Sequence, residues 1–244
     1  MKKFLLWTLL VAFMGGSCSP SVSDAHTLGR DASWFPLQLD SKTAPLTAFT
    51  TALVQEIARV THYPLEILNV DWVQLFQNLE EGHVAGVFSS LPPGLLSEKK
   101  YTFSDPIVSL GPVLIVPASS KFTSLLDLSG KMVAIYQYDE SILVAQEYPA
   151  ILIELYQSMP TILEDLKAGV IDAVLMPALE ARSLVNHAFP GQLQIVSEPL
   201  SAKAIRLITC KNKHRSLIRH FNKGLQKTRD NGTYDKLRDL YHLD

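Results

Sequence analysis

Cysteine is nearly absent from this chain of 244 residues; there are two, Cys18 and Cys210. Cys18 follows an apolar leader, so only Cys210 remains within the folded part and no intramolecular disulfide can brace it. Cys210 sits in the apolar run IRLITC and reads as a small buried side chain. An excess of charge of either sign is also lacking. Lys and Arg number 22 against 24 Asp and Glu, a formal net charge of -2, which gives no general reason to expect nucleic acid or an acidic membrane surface as partner. The apolar run from Phe4 to Met14 is too short for an ordinary transmembrane helix. Chemistry-bearing motifs are missing as well. His26, His62, His83, His187, His214, His220 and His242 show no metal-ligand spacing, and no nucleophile elbow is visible. DLSGK lacks the spaced glycines of a phosphate cradle and reads as a turn. No metal or other cofactor is expected.

What is present is apolar matter: 47% of the residues, enough for a real core and too much for a disordered chain. MKKFLLWTLLVAFMGGSC has two lysines, an apolar stretch and small residues before Cys18, the pattern of a secretory signal over residues 1–17. Cys18 stands where a bacterial lipobox places the cysteine that becomes the lipidated first residue, although Gly15 replaces the usual leucine. The alternative is an ordinary signal with a chance cysteine. SPSVSDAHT then reads as a flexible tether, with residues 18–25, the lipidated cysteine included, between anchor and fold.

From Leu28 onward, strand and helix patterns alternate. LTAFTTALVQEIARV places Leu46, Phe49, Leu53, Ile57 and Val60 on one helical stripe. DWVQLFQNLEEG predicts a helix with Asp71 as N-cap and Gly82 as stop, and TILEDLKAG one ended by Gly169. LEILNV, VAGVFS, PVLIVP, KMVAIY, VIDAVLM, LQIVS and IRLITC predict strands. SLIRHFNKGLQKTRDNG and TYDKLRDLY predict two closing helices broken at Gly232. The alternation predicts an α/β fold with mostly parallel sheets. LFQNLEEGHVAGVFS and ILEDLKAGVIDAVLM form a faint internal echo: amphipathic helix, glycine stop, buried strand, each running into a proline-containing loop. Two such units would aim two loops at one cleft, since ligands bind beyond the carboxyl ends of parallel strands.

GRDASWFPL, FSDP, LLDLSGKMVAI, LKAGVIDAVL and FNKGLQKTRDNGTYDKLRDLY fall in one order over about residues 28–241. Together they resemble the family-3 extracellular solute-binding proteins, the polar amino-acid receptors of bacterial ABC importers. The resemblance implies a two-lobed type II periplasmic binding fold with two crossover hinge strands. Lobe one would be 26–109 plus 204–244 and lobe two 110–203, with IVSLGP and LSAKAI at the hinge. It also implies a monomer that binds a small ligand (an amino acid, an amine or a short peptide) and serves an ABC permease from the periplasmic side of a membrane, not an enzyme.

The resemblance places Trp34 where the family stacks an aromatic on the ligand, with Asp31 as its acidic residue; filling the core is the plainer role for Trp34. The pocket motifs otherwise depart from the family. Its carboxylate-gripping arginine precedes FSDP, and here Ser97 stands at that position and Ser90 at a nearby glycine, with Ser89 adjacent. Lys99 could replace the arginine if the loop has shifted, although a lysine lacks the planar fork; otherwise Lys99 and Lys100 are solvated surface. The family's glycine-threonine-threonine run is replaced by Tyr138, Asp139 and Glu140, whose carboxylates would repel a ligand carboxylate. Pro177 stands in place of the aspartate that holds the ligand ammonium; Glu180, one helical turn on, either reaches the cleft or serves the helix end. These changes predict a ligand that is cationic or has no free carboxylate, with Trp34 reporting its binding.

Three rivals keep their place. Dehydratases and peptidoglycan lyases use this scaffold, and Asp139, Glu140 and Glu180 could form an acid pair. CKNKHRSLIRHFNKGLQKTR is basic enough to suggest nucleic acid, but its apolar residues have helical spacing, the plainer reading being a solvated face over a packed one, and the signal argues against that partner; docking toward a permease loop is the other reading. A binding or sensor module without transport fits the same residues.

Overall fold

The computed structural model describes residues 25–37 and 39–243. The expected signal, Cys18 and all of the tether but Ala25 lie outside the described residues.

The described chain forms two sheets and eight α-helices. The first sheet draws on both ends of the chain. β1 (His26–Arg30) pairs in parallel with β2 (Leu65–Asn69) and β3 (Gly86–Ser89). β11 (Ala204–Cys210) then inserts antiparallel between β3 and β4 (Tyr101–Phe103), and also pairs with β5 (Val108–Ser109). Around this sheet lie α1 (Thr43–Thr61), α2 (Trp72–Glu81), α3 (Ser97–Lys100), α7 (Arg215–Asp230) and α8 (Thr233–Leu240). The second sheet has the order β10 (Leu193–Ile195), β6 (Pro112–Pro117), β9 (Ala173–Pro177), β7 (Met132–Tyr136), β8 (Leu152–Tyr156). Its helices are α4 (Ser141–Ala145), α5 (Met159–Ala168) and α6 (Ala178–Ser183), the last running into a π-helical turn, Leu184–Ala188.

The expectation of mostly parallel sheets needs correcting. Four strand pairs are parallel and five antiparallel. β6 and β11 each enter their sheet directly from a crossover, with no intervening helix to turn the chain round, so both run against their neighbours.

Period-two burial shows why these segments become strands. In β6, Val113 and Ile115 join the core on one face while Leu114 and Val116 join the core on the other. β9 alternates in the same way, with Val174 and Met176 against Ala173 and Leu175. A strand buried on both faces must be apolar throughout, as these are. In the first sheet, Leu28, Phe88 and Leu207 face the core shared with α1 and α7, while Val87 and Ile208 face α2. In α1, Leu46, Phe49, Leu53 and Ile57 are buried as the helical stripe predicts, and Val60 is half-buried. Gly82, Gly169 and Gly232 stand in the left-handed region at helix boundaries, where a side chain would be strained. Asp71 caps α2 by position, but its side chain makes no capping hydrogen bond.

The sheets are joined by two crossovers, Leu110–Gly111 and the segment between β10 and β11. Both backbone N–H groups of Leu110 and Gly111 donate to the Lys203 carbonyl, at 2.9 and 3.1 Å. A Cβ on Gly111 would lie 2.8 Å from the Ser201 carbonyl oxygen, a backbone atom that cannot rotate away. Gly111→Ala should therefore push the crossovers apart and cost about 1–3 kcal/mol, the usual range for overpacking. Urea unfolding measures this, and a variant as stable as the parent would mean that the two segments part freely.

Candidate functional site

The carboxyl ends of β1, β7 and β9 all feed the region beside the crossovers, the expected place for a ligand in such sheets. A cleft of about 870 Å³ lies there. Pro36, Leu37, Leu39, Ser41 and Lys42 line it from the loop after β1, and Leu110 and Lys203 from the crossovers. The opposite wall holds Tyr136 at the end of β7 with Tyr138, Asp139 and Glu140 after it, Met159 of α5, and Met176, Pro177, Leu179 and Glu180 at the junction of β9 and α6.

Local chemistry sets each charged group. One oxygen of Asp139 accepts the Ser141 N–H at 2.7 Å, which fixes the start of α4. Tyr138 has φ of 69° in the left-handed region, and its side chain is 95% exposed. A non-glycine residue there costs about 1–2 kcal/mol, so the turn holds a strained, wet aromatic at the cleft wall. The Glu140 carboxylate is ion-paired with Lys203 Nζ, which joins the β7–α4 turn to the second crossover. Both partners are partly exposed, so water screens the pair and its worth stays within about 1 kcal/mol. Glu180 occupies the first turn of α6, where the helix dipole favours a carboxylate. The N–H of Ala178 donates to the Gly111 carbonyl at 3.2 Å, which ties that helix to the first crossover. Lys42 Nζ donates to the His242 carbonyl at 2.6 Å. Three carboxylates and two lysines therefore line the cleft, and no arginine does among the described residues.

Of the residues singled out in the sequence, the structure brings Tyr138, Asp139, Glu140 and Glu180 together at this cleft. Asp31, Trp34, Ser89, Ser90 and Lys99 are not in its lining. Trp34 is 4% exposed within the core of the first sheet, and its indole N–H donates to Thr47 Oγ1 at 2.9 Å. Leu179 of α6 belongs to that same core, so α6 plugs into the other lobe. Both oxygens of Asp31 are engaged in its own loop: Oδ1 accepts the Ser33 N–H, and Oδ2 accepts the Ser33 hydroxyl and the Phe35 N–H. Ser89 is buried, its hydroxyl accepting the Leu91 N–H at 3.1 Å, and Ser90 is half-buried beside it. Lys99 is exposed on α3.

Sequence reasoning missed Arg30, which lies beneath Trp34 with its guanidinium carbon 6.0 Å from the ring centre. Its nitrogens donate to the Thr47 carbonyl, Thr51 Oγ1 and Asn69 Oδ1. Burial pulls this guanidinium below its ordinary pKa. Arg30 is buried and its Nε has no hydrogen-bond partner among the described residues, but it is not in the cleft lining, so it does not replace the missing family arginine there. Lys42, Lys203, Met159 and Met176 were missed as well. The two methionines resemble core residues in sequence; a lysine inside the hinge run LSAKAI was the available signal for Lys203.

Comparisons agree with this geometry. The family model described as bacterial extracellular solute-binding proteins, family 3, matches residues 27–244. A probable histidine-binding protein of Neisseria gonorrhoeae is 24% identical, covering 99% of this chain and 96% of its own length. The arginine-binding extracellular protein ArtP of Bacillus subtilis is 25% identical, over 98% and 97%. The unliganded, open L-cystine solute receptor of Neisseria gonorrhoeae superposes with a TM-score of 0.68 at 18% identity, covering 89% of this chain and 92% of that one. That likeness shows the fold: two α/β lobes with a cleft between them. With its two crossovers and a family match that runs through both sheets, the chain belongs to the bacterial extracellular solute-binding proteins, family 3.

Proposed function

We propose that this chain is the extracytoplasmic receptor of an ABC importer, held at the membrane by a lipidated Cys18, and that its ligand is a small cation without need of a free carboxylate. Lobe one, 26–109 plus 204–244, and lobe two, 110–203, would close on the ligand about the crossovers, an established motion for two-lobed receptors. The observation that carries the ligand class is the convergence of Asp139 and Glu180, beside a Glu140 already paired with Lys203, on a cleft whose lining includes no arginine among the described residues. A buried carboxylate on the ligand would need a fork of donors that this lining lacks, while an ammonium or guanidinium finds acceptors. The arginine-binding relative supports a cationic ligand.

Calorimetry with arginine, its amide-blocked form, its decarboxylated amine and glutamine tests this. The blocked and decarboxylated cations should bind at least as tightly as arginine, and all three more than tenfold tighter than glutamine. Micromolar binding of glutamine, lost on blocking its carboxylate, would show a carboxylate grip and overturn the reading. Lys99→Ala would then ask whether that lysine supplies it.

A further inference from the structure

The segment from Lys211 to Arg229 holds seven Lys and Arg and no Asp or Glu, in a chain whose net charge is -2. Arg215, Arg219, Lys223 and Lys227 recur every fourth residue along α7, a row of about 18 Å at 1.5 Å per residue. Lys211 and Lys213 extend it through the preceding turn. Opposite this row, Leu217, Ile218, Phe221 and Leu225 are buried, so the helix presents the cations to solvent. Lys211, Lys213, Arg215, Arg219 and Lys223 are exposed and take part in no ion pair among the described residues. Like charges four apart destabilise a helix, so packing alone gives no reason for the row.

Two further observations bear on what kind of partner suits this face. None of the exposed large apolar side chains falls between residues 211 and 230. A protein partner would want aromatic or aliphatic anchors at the centre of its footprint, whereas lipid headgroups need only charge. The described chain also begins beside this row. The His26 ring lies 6.1 Å from that of His214, and Tyr63 stacks between His26 and His220, with ring centres 4.7 and 4.4 Å away. From Cys18 to His26 is a reach of at most about 28 Å when fully extended.

We propose that the α7 row is an electrostatic contact for a membrane surface of anionic phospholipids, a second attachment beside the point where the tether leaves. A basic patch is a common electrostatic signal beside a lipid anchor, and it orients the protein on the surface. The patch does not depend on acylation, so it is tested without it. The chain from residue 18 onward, carrying Cys18→Ser, is sedimented with vesicles of phosphatidylglycerol and phosphatidylcholine, and with phosphatidylcholine alone. It should bind only the anionic vesicles and be released by 0.5 M salt, as screening requires. Replacing Arg215, Arg219 and Lys223 together with Gln should weaken binding on the order of a hundredfold, taking about 1 kcal/mol for each cation. These side chains are exposed, and an unchanged urea midpoint confirms an intact fold. Equal binding to both vesicle types, none to either, or a triple variant that sediments like the parent would each overturn the proposal. Failure here leaves the cleft's ligand class untouched, because no ligand is used.

Discussion

Affinity for a cationic ligand should fall by two to three orders of magnitude in the double variant Asp139→Asn, Glu180→Gln. The substitutions are nearly isosteric. Asn retains the oxygen that accepts the Ser141 N–H at 2.7 Å, so the start of α4 survives. Gln keeps the length of Glu180 at the head of α6. What is removed is charge facing the cleft. Truncating one side of a desolvated charge pair costs about 2–5 kcal/mol, and each 1.4 kcal/mol is a factor of ten. Titration calorimetry with the best cation reads the loss directly. Glu140 is left in place because Lys203 already neutralises it. If the double variant binds within threefold of the parent, the acidic wall is not the recognition surface.

Phe221→Ala should remove about 3–5 kcal/mol of stability, the range for deleting a fully buried aromatic side chain. Phe221 is 0% exposed, and its ring centre lies 6.0 Å from that of Phe88 on the neighbouring strand. The cavity cannot readily collapse. One turn on, Gly224 already brings α7 so close to α1 that a Cβ there would meet Ile57 Cγ2 at 2.6 Å. The helix is held by that contact and cannot settle inward. Urea unfolding measures the effect; a loss below about 1 kcal/mol would mean that α7 repacks more freely than the close approach allows.

Segments with one clear periodicity were legible in the sequence. α1, α2, α5 and α7 carry apolar stripes, α2 and α5 end in glycine stops, and β6 and β9 are apolar runs. β8 was not legible, because as an edge strand it leaves Leu152 and Leu155 half exposed and alternates poorly. Strand direction was also hidden, since it depends on where the chain crosses between lobes. The acidic residues after β7 were readable from their departure from the family run. Trp34 and Asp31 show the limit of carrying motifs across: the residue types match, but the indole is used by Thr47 and the carboxylate by its own loop. Lys203 meets Glu140 only through the fold, across a separation that no local pattern encodes.

The placement of β11 has a consequence for the order in which the molecule can assemble. The second sheet is drawn entirely from Pro112–Ile195, so its strands are all present once that stretch has emerged. The first sheet is not. Phe88 of β3 has its partner in Leu207 of β11, and the helix that covers Phe88 follows later still. Until the last quarter of the chain arrives, β3 and β4 cannot be joined, and the long loop between β3 and β11 must close before their contacts can form. The N-terminal half, though made first, is the half completed last. For the export proposed above, that delay would keep the leading segment threadable until the far end of the chain has followed it.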